Sequence, residues 1–374
     1  MKRHINYYFL MLSGFLLVTG LLFLSTLSAI PSLQAFGNTN HYLFHQLFSV
    51  SIGLVLGFIF YKIPLSFLKK ITPILLIINF LLLIAVFLPI VGTKLLGAKR
   101  WISIGNNTFQ PSEFFKINAI LYLSAWFSNR GLERFKKGWI PMAKKGYYNF
   151  IRSFLPFLAF LAIIAIVFVF QRDLSTLGII MIALLCIYFT AQKNILHTIV
   201  LAVIIAISAL VLIIKEPYRV QRLLIFLHPE TDPLGIGLQV KQSLIAVGSG
   251  GIFGKGLGMS TQKFGFLPQT MSDSMFAILG EETGIVGGTI LVLLFLLFLY
   301  LGFKIANESD TPFGKFTAIG ITVWIVLQAF INIASNIGLF PLSGIPLPFF
   351  SYGGSHVIAE LIGVGLLLNI SKNG

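Results

Sequence analysis

Residues 7–30 read YYFLMLSGFLLVTGLLFLSTLSAI, without one charged side chain. A helix rises about 1.5 Å per residue, so roughly 20 apolar residues cross the hydrocarbon layer of a bilayer. The stretch is too long for a signal-peptide core and ends without a small-residue cleavage site, so it reads as a first spanning helix that stays attached. Nine similar segments follow, at about 43–61, 71–92, 112–127, 153–170, 174–191, 194–214, 274–303, 316–337 and 354–371. Within hydrocarbon every backbone polar group must be satisfied internally, which leaves helices and closed barrels. Runs this long exceed barrel strands. The expected fold is therefore all-α: an integral membrane protein of about ten transmembrane helices, one polytopic domain over 1–374. A long loop, about 215–273, joins spans 7 and 8.

Composition agrees. The chain is 56% hydrophobic and 10% charged, whereas a soluble domain carries about 25% charged residues. The net charge of +15 raises nucleic acid as a partner, but the basic residues are scattered between spans, as topology requires, so none is expected. The single cysteine, Cys186, allows no intrachain disulfide and reads as packing.

Lys and Arg set the orientation. With the N-terminus inside, the short cytoplasmic pieces hold Lys62, Lys69, Lys70 and a dense group from Arg130 to Arg152, whereas the short external ones hold only Lys94, Lys99, Arg100 and Arg172. Both termini are therefore expected in the cytoplasm. Glu113, Asp173, Glu216, Glu230, Asp232 and Asp273 then fall on or near the external face.

Several stretches there invite both a bland and a functional reading. In FQPSEFFK, Ser112 suits an N-cap and Glu113 a first helical turn, and Glu113 shares a face with Lys116. That pair is either a local ion pair or a place where Lys116 meets an anionic substrate. In FQRDLSTLG, Asp173 or Ser175 caps the next span, or Asp173 serves the site. GSGGIFGKGLG does not fit phosphate-loop spacing and reads as a tightly turning loop. In TMSDSMFAILGEE, Thr270 and Asp273 resemble a capping box, with Asp273 in or near the first turn. Glu281 and Glu282 follow inside an apolar run, where carboxylates are costly and suspect by default; structural pairing with Asn332, Asn336 or His356 is the alternative. In GIPLPFFSYGGSH, Pro346, Pro348, Gly353 and Gly354 exclude a continuous helix. The His356–Glu360 pair beyond it reads as structural.

Together these segments resemble the SEDS family, the FtsW/RodA/SpoVE group of bacterial peptidoglycan glycosyltransferases. The resemblance lies in KRWISIG (99–105), QPSEFFK (110–116), RDLST (172–176), residues 221–268, SDSMFAILGEETGIVG (272–287) and NIGLFPLSGIPLPFFSYGGS (336–355). Ser260, Gln262 and Lys263 look like the division branch, FtsW-like; elongation is the other branch. The chain departs from the family at Arg172, where Pro is usual, at Ser175, where Gly is usual, and at Gln269, Ser272 and Ser274 around Asp273.

The resemblance implies an enzyme that polymerises lipid II and releases undecaprenyl pyrophosphate. Asp273 holds the family's catalytic position. Arg100, Lys116 and Arg222 are candidates for the departing pyrophosphate; Glu113 and Asp173 match other family positions and shape the cavity or hold a divalent cation, Mg or Mn, with no cofactor certain. Implied partners are a class B penicillin-binding protein, a transpeptidase, and other divisome or elongasome membrane proteins. The implied location is the bacterial cytoplasmic membrane. Rival readings are a lipid II flippase or transporter and a non-catalytic scaffold for the transpeptidase.

Overall fold

The computed structural model describes residues 6–89, 91–95, 98–105, 107–129, 150–192, 195–233 and 235–373. The basic segment 130–149 lies outside the described residues. In chain order the helices are α1 Tyr7–Phe36, α2 His41–Lys62, α3 Leu65–Ala85, α4 Pro111–Asn129, α5 Leu155–Phe170 and α6 Leu174–Gln192. They continue as α7 Ile195–Ile214, α8 Pro217–Leu227, α9 Ile236–Ser249, α10 Met275–Glu308, α11 Pro312–Asn336 and α12 Gly354–Asn373.

A helix stands at each of the ten expected spans. Among the described residues eight helices are long and apolar enough to cross a membrane, and nine if α7 and α8, bent by 98°, form one broken span. Helix α4, at the fourth expected span, is the one not among them. Most of its side chains are buried in protein, including the charged Glu113 and Lys116. Its burial rests on packing against α3, α6 and α11, not on its own apolarity.

Three boundaries differ from the sequence expectation. Helix α1 runs past Pro31 to Phe36. Helix α3 stops at Ala85, and the chain enters an antiparallel sheet, β1 Gly92–Leu95, β2 Ala98–Ile104 and β3 Asn107–Phe109, in the order β1-β2-β3. The expectation of helices alone misses this sheet because β1 and β3 are only four and three residues long and β2, AKRWISI, does not alternate strictly between apolar and polar residues. The 215–273 loop, finally, is largely helical, holding α8, α9 and two short 3₁₀ turns.

The glycine cluster is spliced into α10. At Gly284 the backbone leaves the helix (φ 67°, ψ −165°), which interrupts the i→i−4 ladder. The carbonyls of Glu281 and Glu282 accept instead from the amides of Lys255 and Gly256 at 3.0 and 3.1 Å. The amides of Ile285 and Val286 donate to the carbonyls of Gly251 and Ile252 at 2.9 and 3.1 Å. These four groups freed by the break find partners in the loop, as burial demands. The approach requires glycine: a Cβ at Gly284 would lie 2.4 Å from the Gly254 nitrogen, and one at Gly254 2.2 Å from the Glu282 oxygen. The cluster is thus a fixed turn clamped to a helix.

Candidate functional site

Residues 341–347, between α11 and α12, form neither helix nor strand. Two prolines remove donors and Gly344 (φ 64°) bends the chain, so the carbonyls here need partners from outside. Those partners are the side chains that the sequence singles out and their immediate neighbours. Arg222 Nη1 of α8 donates to Leu342 O at 3.4 Å. Ser175 Oγ of α6 donates to Ser343 O at 2.8 Å. Gln328 and Asn332 of α11 donate to Pro346 O at 3.1 Å and Ile345 O at 2.7 Å. A Cβ on Gly344 would stand 3.9 Å from Asp273 Oδ2. One extended segment therefore gathers α6, α8, α11 and the start of α10 at one end of the bundle.

Asp173 caps α6. Its Oδ1 accepts from the Thr176 amide at 3.4 Å, so of the two capping candidates Asp173 is the cap. The preceding helix ends in a Schellman arrangement: the Arg172 amide donates to Val169 O and the Asp173 amide to Phe168 O, both at 3.0 Å. Arg172 occupies the left-handed position (φ 58°) that usually falls to glycine. Its carbonyl accepts from Arg100 Nη2. Arg100 Nη1 stands 3.6 Å from Asp173 Oδ1, and Arg100 Nε donates to Gln171 O at 3.3 Å. Strand β2 thus hands its guanidinium to the α5–α6 corner.

Lys116 and Glu113 form a buried ion pair. Lys116 Nζ lies 2.8 Å from Glu113 Oε2, with side-chain exposures of 2% and 5%. It also donates to Gln328 Oε1 at 2.9 Å and sits 4.8 Å from the centre of the Trp324 ring. Helix α4 begins at Pro111, with Glu113 in its first turn. Ser112 is therefore inside the helix and not its cap; proline at the first position needs no hydrogen bond for its nitrogen.

Asp273 lies in a turn before α10, which begins at Met275 with Ser274 as its cap residue. The capping-box expectation fails here: Asp273 lies outside the helix, with Ser274 between it and Met275. Its Oδ1 accepts from Ser272 Oγ at 3.1 Å. Burial pushes the Asp273 carboxyl above the usual carboxylate range; its own backbone amide, Ser272, Gln239 and the Arg222 charge pull the other way without cancelling it. The turn packs on the SYGG corner, where the Tyr352 amide donates to Met271 O at 2.7 Å and Ser351 Oγ donates to Ser272 O.

Glu281 and Glu282 pair with the glycine loop, not with Asn332, Asn336 or His356. Lys255 Nζ lies 2.6 Å from Glu281 Oε1, and Lys263 Nζ 3.2 Å from Glu282 Oε1. Sequence reasoning missed Lys255 and Lys263 as their partners because the splice at Gly284 has no short-range signature. Glu360 Oε2 accepts from the Phe349 amide at 2.9 Å, where Phe349 sits at φ 66°. Three non-glycine residues with positive φ, Arg172, Gln269 and Phe349, all border this end, and such strain concentrates where surrounding structure imposes it. Among the described residues no three His, Cys, Asp or Glu side chains gather as a metal-holding group. Glu113 and Asp173 each face a cation instead.

What the fold and site define is a polytopic helical membrane protein with a carboxylate and several cations gathered at one end of its bundle. The chain belongs to the family FTSW_RODA_SPOVE, cell cycle protein, which it matches over residues 7–374. It is 36% identical over 357 residues to stage V sporulation protein E of Bacillus subtilis (strain 168), covering 96% of this chain and 94% of that one. It is 38% identical over 362 residues to a protein of Borreliella burgdorferi named "Probable peptidoglycan glycosyltransferase FtsW", covering 96% and 94%. In fold it resembles a chain from work described as "Structural coordination of polymerization and crosslinking by a peptidoglycan synthase complex". That match has a TM-score of 0.76 at 24% identity and covers 98% and 97% of the two chains. The rod shape determining protein RodA of Thermus thermophilus matches with a TM-score of 0.67 at 21% identity, over 98% and 96%.

Proposed function

We propose that this protein is a peptidoglycan glycosyltransferase that polymerises lipid II at the outer face of the bacterial cytoplasmic membrane. The observation that carries the reading is Asp273: a carboxylate in a hydrogen-bonded turn, raised above the usual carboxylate range by burial, beside Arg222 and the 341–347 segment. The relatives named as such glycosyltransferases support it. In the reaction the 4-hydroxyl of the acceptor GlcNAc attacks C1 of the donor MurNAc. The new C1–O bond forms as the bond to pyrophosphate breaks, and Asp273 takes the hydroxyl proton. Undecaprenyl pyrophosphate leaves with the electron pair, and Arg222, Arg100 and Lys116 stabilise its charge. Glu113 and Asp173 hold Lys116 and Arg100 in place, and no step is routed through a metal.

A transpeptidase of the class B penicillin-binding type is the partner this reading entails; the synthase complex with a similar chain supports it. The test is purified protein with labelled lipid II, with and without that partner. Glycan chains are expected, and lipid movement without chain formation would favour a flippase instead.

Orientation has its own test. With both termini cytoplasmic, a reporter inserted after Lys145 reports the cytoplasm and one near Thr231, in the turn after α8, reports the exterior. The same side from both reporters overturns this topology.

A further inference from the structure

Helix α11 carries an amide at every fourth position: Gln328, Asn332 and Asn336, all buried. Four-residue spacing places them on one face, along about 12 Å of helix. Buried amides are costly unless their donors are satisfied, and where these donors go is specific. Asn332 Nδ2 donates to the main-chain oxygen of Asp273 at 2.9 Å. Asn336 Nδ2 donates to the same oxygen at 2.8 Å. A carbonyl oxygen has two lone pairs, and α11 engages both.

The rest of the turn makes this matter. The amides of Ser272 and Ser274 close back on Gln269 O at 3.0 and 3.2 Å. Ser274 makes no side-chain cap bond to α10, and its Oγ accepts from Gln239 Nε2 at 2.9 Å. The peptide that follows Asp273 is therefore held at its carbonyl by α11 and at its amide by Gln269 O, and Asn332 ties the same helix to Ile345 O in the extended segment.

We infer that Asn332 and Asn336 are positioning residues for Asp273, pinning the main chain from which its carboxylate projects. The inference rests on the reading of Asp273 as the base. Neither amide bonds the carboxylate, so their effect passes through the backbone. A displacement of about 1 Å at a reacting group can cost on the order of 10²-fold in rate.

The test uses the full-length protein, with its partner if activity requires one, and compares Asn336→Leu and Asn336→Ala with wild type. Leu keeps the volume and removes the donor; Ala covers the case in which Leu does not fit. In a variant that folds, kcat falls by about 10-fold or more while KM for lipid II stays within about twofold. The acidic limb of the pH–rate profile also moves to lower pH, because a loosened carboxylate is better solvated. The charged group facing it, Arg222 of α8, and the polar Gln239 of α9 and Ser272 of the turn are unchanged in these variants. A purely structural role leaves the limb in place, since the molecules that stay folded titrate as wild type. A near-normal kcat with an unmoved limb in a folded variant overturns the inference. Asp273→Asn separates the two failures: full activity there rejects the base itself, whereas a dead Asp273→Asn beside normal Asn336 variants rejects only the positioning.

Discussion

Asp273→Asn loses glycan-chain formation by roughly 10²–10⁴-fold, the contribution of a positioned general base. Asn keeps the size of the side chain and still accepts from Ser272 Oγ, which lies 3.1 Å from Oδ1 in the wild type. Because Asp273 is not the cap of α10, neither Asn nor Ala removes a helix-capping bond. No loss of the kind a missing cap causes, about 1 kcal/mol, is therefore expected in the thermal stability of either variant. Lipid II binding should survive as well, since the cations assigned to the pyrophosphate are untouched. The wild-type pH profile has a definite sign. Burial raises the carboxyl above its ordinary range, so the base is ionised above that raised value and activity falls as pH drops through it. An Asn variant that polymerises at the wild-type rate refutes the assignment.

Lys116→Met has the second-largest consequence, and it falls first on the fold. The Lys116–Glu113 pair is almost wholly buried, and removing one partner of such a pair costs about 3–5 kcal/mol because the other charge is left uncompensated. The double variant Glu113→Gln/Lys116→Met carries no stranded charge and should recover most of that stability. It should not recover polymerisation if Lys116 also faces the departing pyrophosphate. Thermal unfolding and chain formation, measured on both variants, separate the roles. A double variant that regains full activity makes the pair structural only.

The architecture was legible because long apolar runs have few solutions in a bilayer. Each of the ten segments is a helix, and the Pro/Gly-rich stretch after α11 is broken as its composition requires. The site was legible residue by residue but not in its pairings. Glu113 with Lys116 is local and could be read from a spacing of three. Asp273 with Asn332 and Asn336, or Glu281 with Lys255, joins residues far apart in sequence, and a single chain offers no periodic signal for that. The repeat of amides at 328, 332 and 336 was the one available hint: three hydrogen-bonding side chains on one face of an apolar helix must have acceptors. It marks the face without naming what lies opposite. Likewise, a break in α10 at Gly284 follows from glycine only once the loop that fills it is seen.

Helix α4 depends on neighbours that the ribosome has not yet made. Its Lys116, paired with Glu113, faces Gln328 and Trp324 of α11, and synthesis runs from the N-terminus. At roughly 5–20 residues per second, α11 emerges on the order of ten seconds after α4. For that interval the charged pair lacks the amide and the indole that it faces in the finished protein. The order of assembly is thus built into the chain: the early helices α1 to α3 hold a place in the membrane, and α4 settles fully only when a late helix arrives to close over it.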